Sequence, residues 1–437
     1  MLKKLNFKSV VALVIGSQIG SGIFLLPASL SSLGSISLFG WLISGIGAIL
    51  LALVFAQLSM RVSGSGGPHV YVETAFGRKA AFFTAWTYWL ISWVSSIAVI
   101  IAAVGYLSPL IGLSGPLLTL SLELAIVTLI TGINIRSACL AGSFEFLLTV
   151  LKCIPLIIIP IVGFFFLKAE YFFPINPGNL PILPSLNTAC LLTFWGFIGI
   201  ETATTASGII ENPTKTIPRA VILGTVIVAA IYFLNSFGVM GVVAPEILAN
   251  SRAPYVDATQ IIFGGGWGIV IAIIAFIACI GTLNAWVLTS GQIASAAAKE
   301  GLFPSFFAKT NRSGSPYVSL LIALICTQIL LVLTLTPNIL TQLSKIVDLS
   351  VSTFLFIYLA CAIAFLKILF QDKSKKHYLW YTITILASLF CIWVLCFTSF
   401  FNLLLCSLFF VTGIPVYFWQ KSKLNRKDQA YSYNEVK

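Results

Sequence analysis

Apolar stretches of about 20 residues, the length of helix that crosses a hydrocarbon core, follow one another along almost the whole of this chain. Twelve can be delimited, at 9–31, 36–59, 81–105, 117–135, 146–167, 187–208, 219–242, 263–289, 317–336, 347–366, 378–398 and 402–419. Inside lipid every backbone N–H and C=O must find a partner within the protein, which leaves helices and closed barrels as the spanning structures. These runs are continuous rather than alternating, so they predict helices and not barrel strands. Only 9% of the residues are charged, against 59% hydrophobic; a soluble chain would carry about 25% charged. The expected fold is an all-α polytopic membrane protein of about twelve transmembrane helices, with 1–437 forming one transmembrane domain. The first run is too long for a cleavable signal and leads straight into a second span.

The net charge of +12 would suggest nucleic acid in a soluble protein. Here the cations alternate with topology. Lys3, Lys4 and Lys8 precede the first span, Arg61, Arg78 and Lys79 follow the second, and Arg136 the fourth. Lys215 and Arg219 follow the sixth span, Lys299, Lys309 and Arg312 the eighth, and Lys367, Lys373, Lys375 and Lys376 the tenth. The tail adds Lys421 and its neighbours. The opposite loops hold only Lys168, Arg252 and Lys345. The positive-inside rule then predicts cytoplasmic termini, with no nucleic-acid partner needed, while compact loops and bare tails suggest a multi-pass protein of the inner (plasma) membrane. The nine cysteines are scattered through apolar runs and read as small packing residues. His69 and His377 have no ligand company in sequence, so no metal or cofactor is expected.

One stretch breaks the pattern. "IGSQIGSGIFLLP", residues 15–27, puts Gly16, Gly20 and Gly22 with Ser17, Gln18 and Ser21 halfway along the first span. If it unwinds, its backbone must face protein or a water-filled cavity. It then presents N–H groups and the positive end of a half-helix, a receptor for a carboxylate. The other reading is that the glycines only allow close helix crossing. The sixth span repeats the oddity in "FWGFIGIETATTASG", with Gly196, Gly199 and Glu201. Interrupted segments at matching positions point to an inverted-repeat transporter with a mid-membrane site. The halves would be 9–167 and 187–366, with 378–419 standing apart.

An ionisable group inside a span is costly and marks function by default. Glu201 could exchange a proton or balance a cationic substrate; it could also be a neutral packing group. Lys152 could act as a fixed charge in a sodium-like site, or snorkel. Glu145 lies two turns from it, about 10 Å along the helix, and reaches the interface. Glu123 has no obvious partner. Asp348 and Lys345 read as an interfacial pair.

"GSGIFLLPASL", "GGPHVYVETAFGR", "FWGFIGIETA" with "ENPTKTIPRA", and "GQIASAAAKEGLFPSFFAKTNRSGSP" together resemble the landmarks of the amino acid–polyamine–organocation superfamily. Within it the chain is most similar to the basic amino acid/polyamine antiporters, such as the arginine/agmatine antiporter. The resemblance implies twelve spans with the first and sixth broken, and one-for-one exchange of an amino acid for a related amine. It places Ser21 and Gly22, preceded by Gly20, in the carboxylate-binding segment and Ile198 beside the substrate amine. Trp195 falls at a gating tryptophan and Trp286 at a second pocket tryptophan. Glu201 falls at the buried glutamate, Ser350 near a tenth-span hydroxyl, and Tyr88 and Tyr358 at an outer gate. Relatives also suggest a homodimer.

Around the far end of the substrate the chain departs from the arginine/agmatine antiporter. Ser17 replaces an asparagine, Ser92 and Ser96 a cysteine and an asparagine, and Val99 a methionine. These changes leave open a proton- or sodium-coupled amino acid symporter on the same scaffold. No nucleophile–base pair, paired carboxylates or metal cluster supports an enzyme.

Overall fold

The computed structural model describes the chain except residues 1–4, 63–66, 114, 137, 206, 208–209, 252, 334, 336–338, 373–377 and 436–437. It also leaves aside the side chains of 138–146, 205, 339–344 and 423–435. Every named element among the described residues is a helix. Among the described residues there is no strand, only an isolated parallel bridge between Leu5 and Ile210.

The first span is two helices, α1 (Phe7–Gln18) and α2 (Ser21–Ser31). Span 2 is α3 (Ser37–Arg61), and the short α4 (Pro68–Phe76) follows it. Spans 3, 4 and 5 are α5 (Arg78–Leu107), α6 (Pro116–Arg136) and α7 (Ala138–Gly163). Span 6 is α8 (Ile182–Phe194), a 3-10 turn (Trp195–Phe197) and α9 (Thr202–Thr205). Span 7 is α10 (Pro213–Val242), followed by the short helices α11 (Pro245–Ala249) and α12 (Pro254–Phe263). Spans 8 to 12 are α13 (Trp267–Lys299), α14 (Tyr317–Leu333), α15 (Ile339–Gln371), α16 (Tyr378–Cys396) and α17 (Phe400–Glu435).

Eleven of these segments are long and apolar enough to cross a membrane. The remaining one, α14, is apolar but has 17 residues. The twelve expected spans are therefore all helices, with boundaries that move. α13 runs ten residues beyond the expected 289, and α15 five beyond 366. Charged residues at these ends stay helical because the helices continue past the hydrocarbon boundary. The Gly-rich loop at 60–80 contains α4, and the connection after span 7 contains α11 and α12; none of the three was expected. Pro68, Pro245 and Pro254 each sit at the first helical position, where the missing N–H costs nothing. α11 and α12 pack on α2.

Both breaks have local causes. Ile19 is extended and Gly20 takes φ −145, ψ −140, so α2 starts afresh. In span 6 Ile198 is extended and Gly199 has φ +111, a region that a Cβ would strain. A Cβ on Gly199 would also lie 3.1 Å from Ser17 Oγ. The two breaks thus meet at the centre of the bundle. Around them span 2 packs on span 7, span 3 on span 8 and span 4 on span 9. Span 1 packs on span 7 as span 6 packs on span 2, and span 5 packs on span 8 as span 10 packs on span 3.

Candidate functional site

A helix that stops in mid-membrane leaves its last carbonyls without partners. At the end of α1 three side chains supply them. Lys152 Nζ donates to Gly16 O at 2.6 Å, Tyr232 Oη to Gln18 O at 2.6 Å, and Thr282 Oγ1 to Ile19 O at 2.9 Å. Lys152 is fully buried. Ser17 ties the two breaks together. Its Oγ lies 3.2 Å from Gly199 O and 2.9 Å from Thr202 Oγ1.

The N-terminus of α2 is left otherwise. No N-cap side chain holds its first N–H groups. They open on a small cavity. Span 1 lines it with Ser17, Gln18, Gly20, Ser21 and Gly22, span 6 with Trp195 and Ile198, and spans 3 and 8 with Val99, Thr282 and Trp286. Trp195 lies directly on the break. Its Nε1 donates to Ser21 Oγ at 3.4 Å, and a Cβ on Gly22 would come within 3.0 Å of Trp195 Cδ1. A Cβ on Gly20 would come within 2.6 Å of Thr282 Cγ2. Glycine is needed at both positions for close approach. The cavity thus offers N–H donors on one wall and indole faces on two others.

Beyond it stands a polar layer. The carboxyl of Glu201, fully buried, accepts on both oxygens: from Tyr88 Oη at 2.5 Å, and from Tyr358 Oη. Tyr358 Oη also accepts from Gly199 N at 3.3 Å. Phe354 packs edge-on to Tyr88 at 5.6 Å and against Trp286 at 5.4 Å, joining this layer to the cavity wall. Along span 6, Glu201 lies between the cavity residue Ile198 and Ile210, which bridges to Leu5. The layer therefore sits on the side of the cavity nearer the N-terminus.

The structure brings together Ser17, Gly20, Ser21, Gly22, Trp195, Ile198 and Trp286, and gathers Glu201, Tyr88 and Tyr358 one layer away. It does not bring Ser92, Ser96 or Ser350 to the cavity lining. Ser92 Oγ donates to Trp89 O and Ser96 Oγ to Ser92 O, both within span 3. Ser350 Oγ accepts from Ser95 Oγ at 2.9 Å between spans 10 and 3. Gln18 and Thr282 line the cavity and were not singled out. Gln18 was visible in the first-span break; Thr282 carries no distinguishing sequence signal.

Other expectations resolve as follows. His69 has a partner after all: its Nε2 lies 3.0 Å from Glu300 Oε2. Lys345 and Asp348 form no ion pair. Glu123 is buried at 5% exposure. The side chain of Glu145, and His377 altogether, lie outside the described residues. Among the described residues no cluster of three His, Cys, Asp or Glu could hold a metal.

Apolar helices around two broken spans, with a central cavity at the breaks, define a polytopic membrane transporter. The sequence matches the Amino acid permease family over residues 5–418, and the chain belongs to that family, within the amino acid–polyamine–organocation superfamily. It is 31% identical over 397 residues to the putrescine transporter PotE of Haemophilus influenzae, covering 90% of this chain and 91% of that one. It is 30% identical over 358 residues to PotE of Escherichia coli, covering 82% of each. It is 31% identical over 341 residues to the cadaverine/lysine antiporter of Escherichia coli, covering 77% of this chain and 76% of that one. Its relatives are transporters rather than enzymes.

Proposed function

We propose that this chain exchanges a cationic amino acid for a related amine or amino acid by alternating access. The observation that carries the reading is the cavity at the two breaks. The substrate carboxylate docks on the N–H groups at Gly20, Ser21 and Gly22, where the α2 dipole favours an anion. Its amine meets the span-six backbone beside Ile198. Trp195 closes over the substrate and Trp286 walls it. An aliphatic or guanidinium side chain gains about 1–2 kcal/mol from a desolvated indole face. The names of the relatives, PotE and a cadaverine/lysine antiporter, support a cationic substrate.

The helix neighbours repeat under the exchange of span n for span n + 5, which supports two five-span repeats, 9–167 and 187–366, followed by spans 11 and 12. Twelve crossings place both termini on one side, and the distribution of cations makes that side cytoplasmic. Tyr88, Glu201 and Tyr358 then close the inner side of the site rather than the outer. Ser92, Ser96 and Ser350 act on the substrate only through the packing of spans 3 and 10. The place that a coupling sodium ion would take against α1 is held by the Lys152 ammonium.

Counterflow in proteoliposomes tests the reading. Vesicles are loaded in turn with ornithine, lysine, arginine, putrescine, cadaverine or alanine, and uptake of each labelled compound is followed. Uptake is expected only against an internal cationic counter-substrate. Uptake into empty vesicles driven by a proton or sodium gradient would establish the symporter instead.

A further inference from the structure

Span 5 carries Pro160 inside its helix. A proline has no N–H, so the carbonyl four residues earlier, Leu156 O, loses its helical donor. Span 7 supplies another. Asn235 Nδ2 donates to Leu156 O at 2.6 Å. One turn further along span 7, a Cβ on Gly238 would lie only 3.2 Å from Pro160 Cα, so glycine lets the two helices close enough for the amide to reach. Asn235 Nδ2 also donates to Ile231 O of its own helix at 2.8 Å. An amide has two N–H donors; both are placed, which fixes the direction of Oδ1.

That oxygen accepts from Tyr255 Oη of α12 at 3.2 Å. Asn235 and Tyr255 are both buried. The Tyr255 ring packs on Phe24 of α2, with centroids 5.1 Å apart, and Tyr106 Oη of span 3 donates to Phe24 O at 2.7 Å. Phe24 lies two positions beyond the cavity residue Gly22. Because α1 reaches the cavity from the N-terminal side and α2 leaves it on the other, Phe24 stands across the cavity from Glu201. Spans 3, 5 and 7, α2 and α12 therefore meet at one point on that far side.

We propose that Asn235 is the positioning residue of the far-side closure: anchored on the carbonyl that Pro160 frees, it holds the Tyr255 hydroxyl and so keeps α12 seated on α2. Opening the cavity on this side takes Phe24 away from Tyr106. While the catch is made, α12 bears on Phe24 from a fixed point on spans 5 and 7. When it is broken, α12 keeps its apolar contacts and loses that point. The contacts are independent of what is carried, whereas their consequence for transport rests on the alternating-access reading.

Hydrogen exchange of the purified full chain tests the catch without any transport. Tyr255→Phe keeps the ring for Phe24 and removes the hydroxyl. Amide exchange across α12 should quicken about 2- to 12-fold, the worth of one hydrogen bond, while α4, on the opposite side of the cavity, keeps its wild-type rate. A smaller change in α12, or an equal one in α4, overturns the proposal. Asn235→Leu should quicken α12 and also the turn of span 5 around Pro160; a change in α12 alone would overturn the anchoring. If Asn235→Leu fails to fold, Tyr255→Phe decides. In oriented proteoliposomes Tyr255→Phe should raise the half-saturating substrate concentration at the terminus-bearing face relative to the other face, since the population moves toward the state open on the far side. A wild-type ratio of the two would overturn the closing role. Failure of counterflow to appear falls on the proposed function instead, because the exchange rates in α12 are read in its absence.

Discussion

Replacing Tyr88 by Phe removes one of the two hydroxyl donors to Glu201 and changes little else. The ring stays packed edge-on to Phe354, and Tyr358 keeps the other carboxylate oxygen. The lost bond, 2.5 Å long and fully buried, runs to a carboxyl group. Hydrogen bonds to charged groups contribute about 1.5–3 kcal/mol, or about 10- to 150-fold in an equilibrium. If the layer closes the N-terminal side of the site, that factor is withdrawn from the closed arrangement. The population shifts toward the state open on that side. In oriented proteoliposomes the half-saturating substrate concentration should rise at the opposite face. At the terminus-bearing face it should hold or fall. Thermal stability serves as the control for general damage. Equal changes at both faces, or a rise below about 2-fold at the opposite face, would refute a gating role for the layer, since a bond of this strength cannot be removed from a two-state element without moving its balance.

Four further substitutions probe the site itself. Trp195→Leu should impair exchange far more than equilibrium binding, because the indole closes over the substrate; equal losses would make it a simple wall. Gly20→Ala should cut exchange by at least about 5-fold, since its Cβ would press on Thr282 at 2.6 Å and overpacking costs about 1–3 kcal/mol. Unchanged exchange would show that the break can shift to accept it. Glu201→Gln should flatten the pH dependence of transport, which a wild-type profile in the variant would contradict. Lys152→Met should abolish most transport while the protein still folds, because Gly16 O loses its 2.6 Å donor and keeps the longer bond from Thr282 Oγ1 at 3.4 Å; full transport would exclude a pinning role for the ammonium.

The spans were legible because a bilayer imposes a length and forbids unpaired backbone, so composition alone defines them. The breaks were legible for the same reason: glycines and hydroxyls in mid-span make sense only where protein surrounds them. Helix ends and the short helices α4, α11 and α12 were not legible, since lipid sets no rule beyond its boundary. The site was half legible. Gly20, Ser21, Gly22, Trp195 and Trp286 carry motif signatures and line one cavity. Ser92 and Ser96 are not among the lining residues, because sequence spacing gives a residue's turn but not the face on which its hydroxyl lies. His69 looked solitary because Glu300, 231 positions away, becomes its neighbour only through the fold.

The two ends of the first-span break are treated unequally, and this asymmetry bears on coupling. The carbonyls closing α1 are satisfied by the protein, through Lys152, Tyr232 and Thr282. The amides opening α2 have no side-chain cap. A cation at the first place would therefore compete with a tethered ammonium, whereas an anion at the second meets amides that no N-cap side chain holds. On the proposed reading the break takes the substrate carboxylate, and the Lys152 ammonium stands where a metal ion would otherwise bind. A tethered charge cannot cross with the substrate, so it cannot draw on an ion gradient by leaving. On this reasoning the driving force must come from the counter-substrate or from a proton, and Glu201, held by two tyrosines one layer from the cavity, is the group placed to carry the latter.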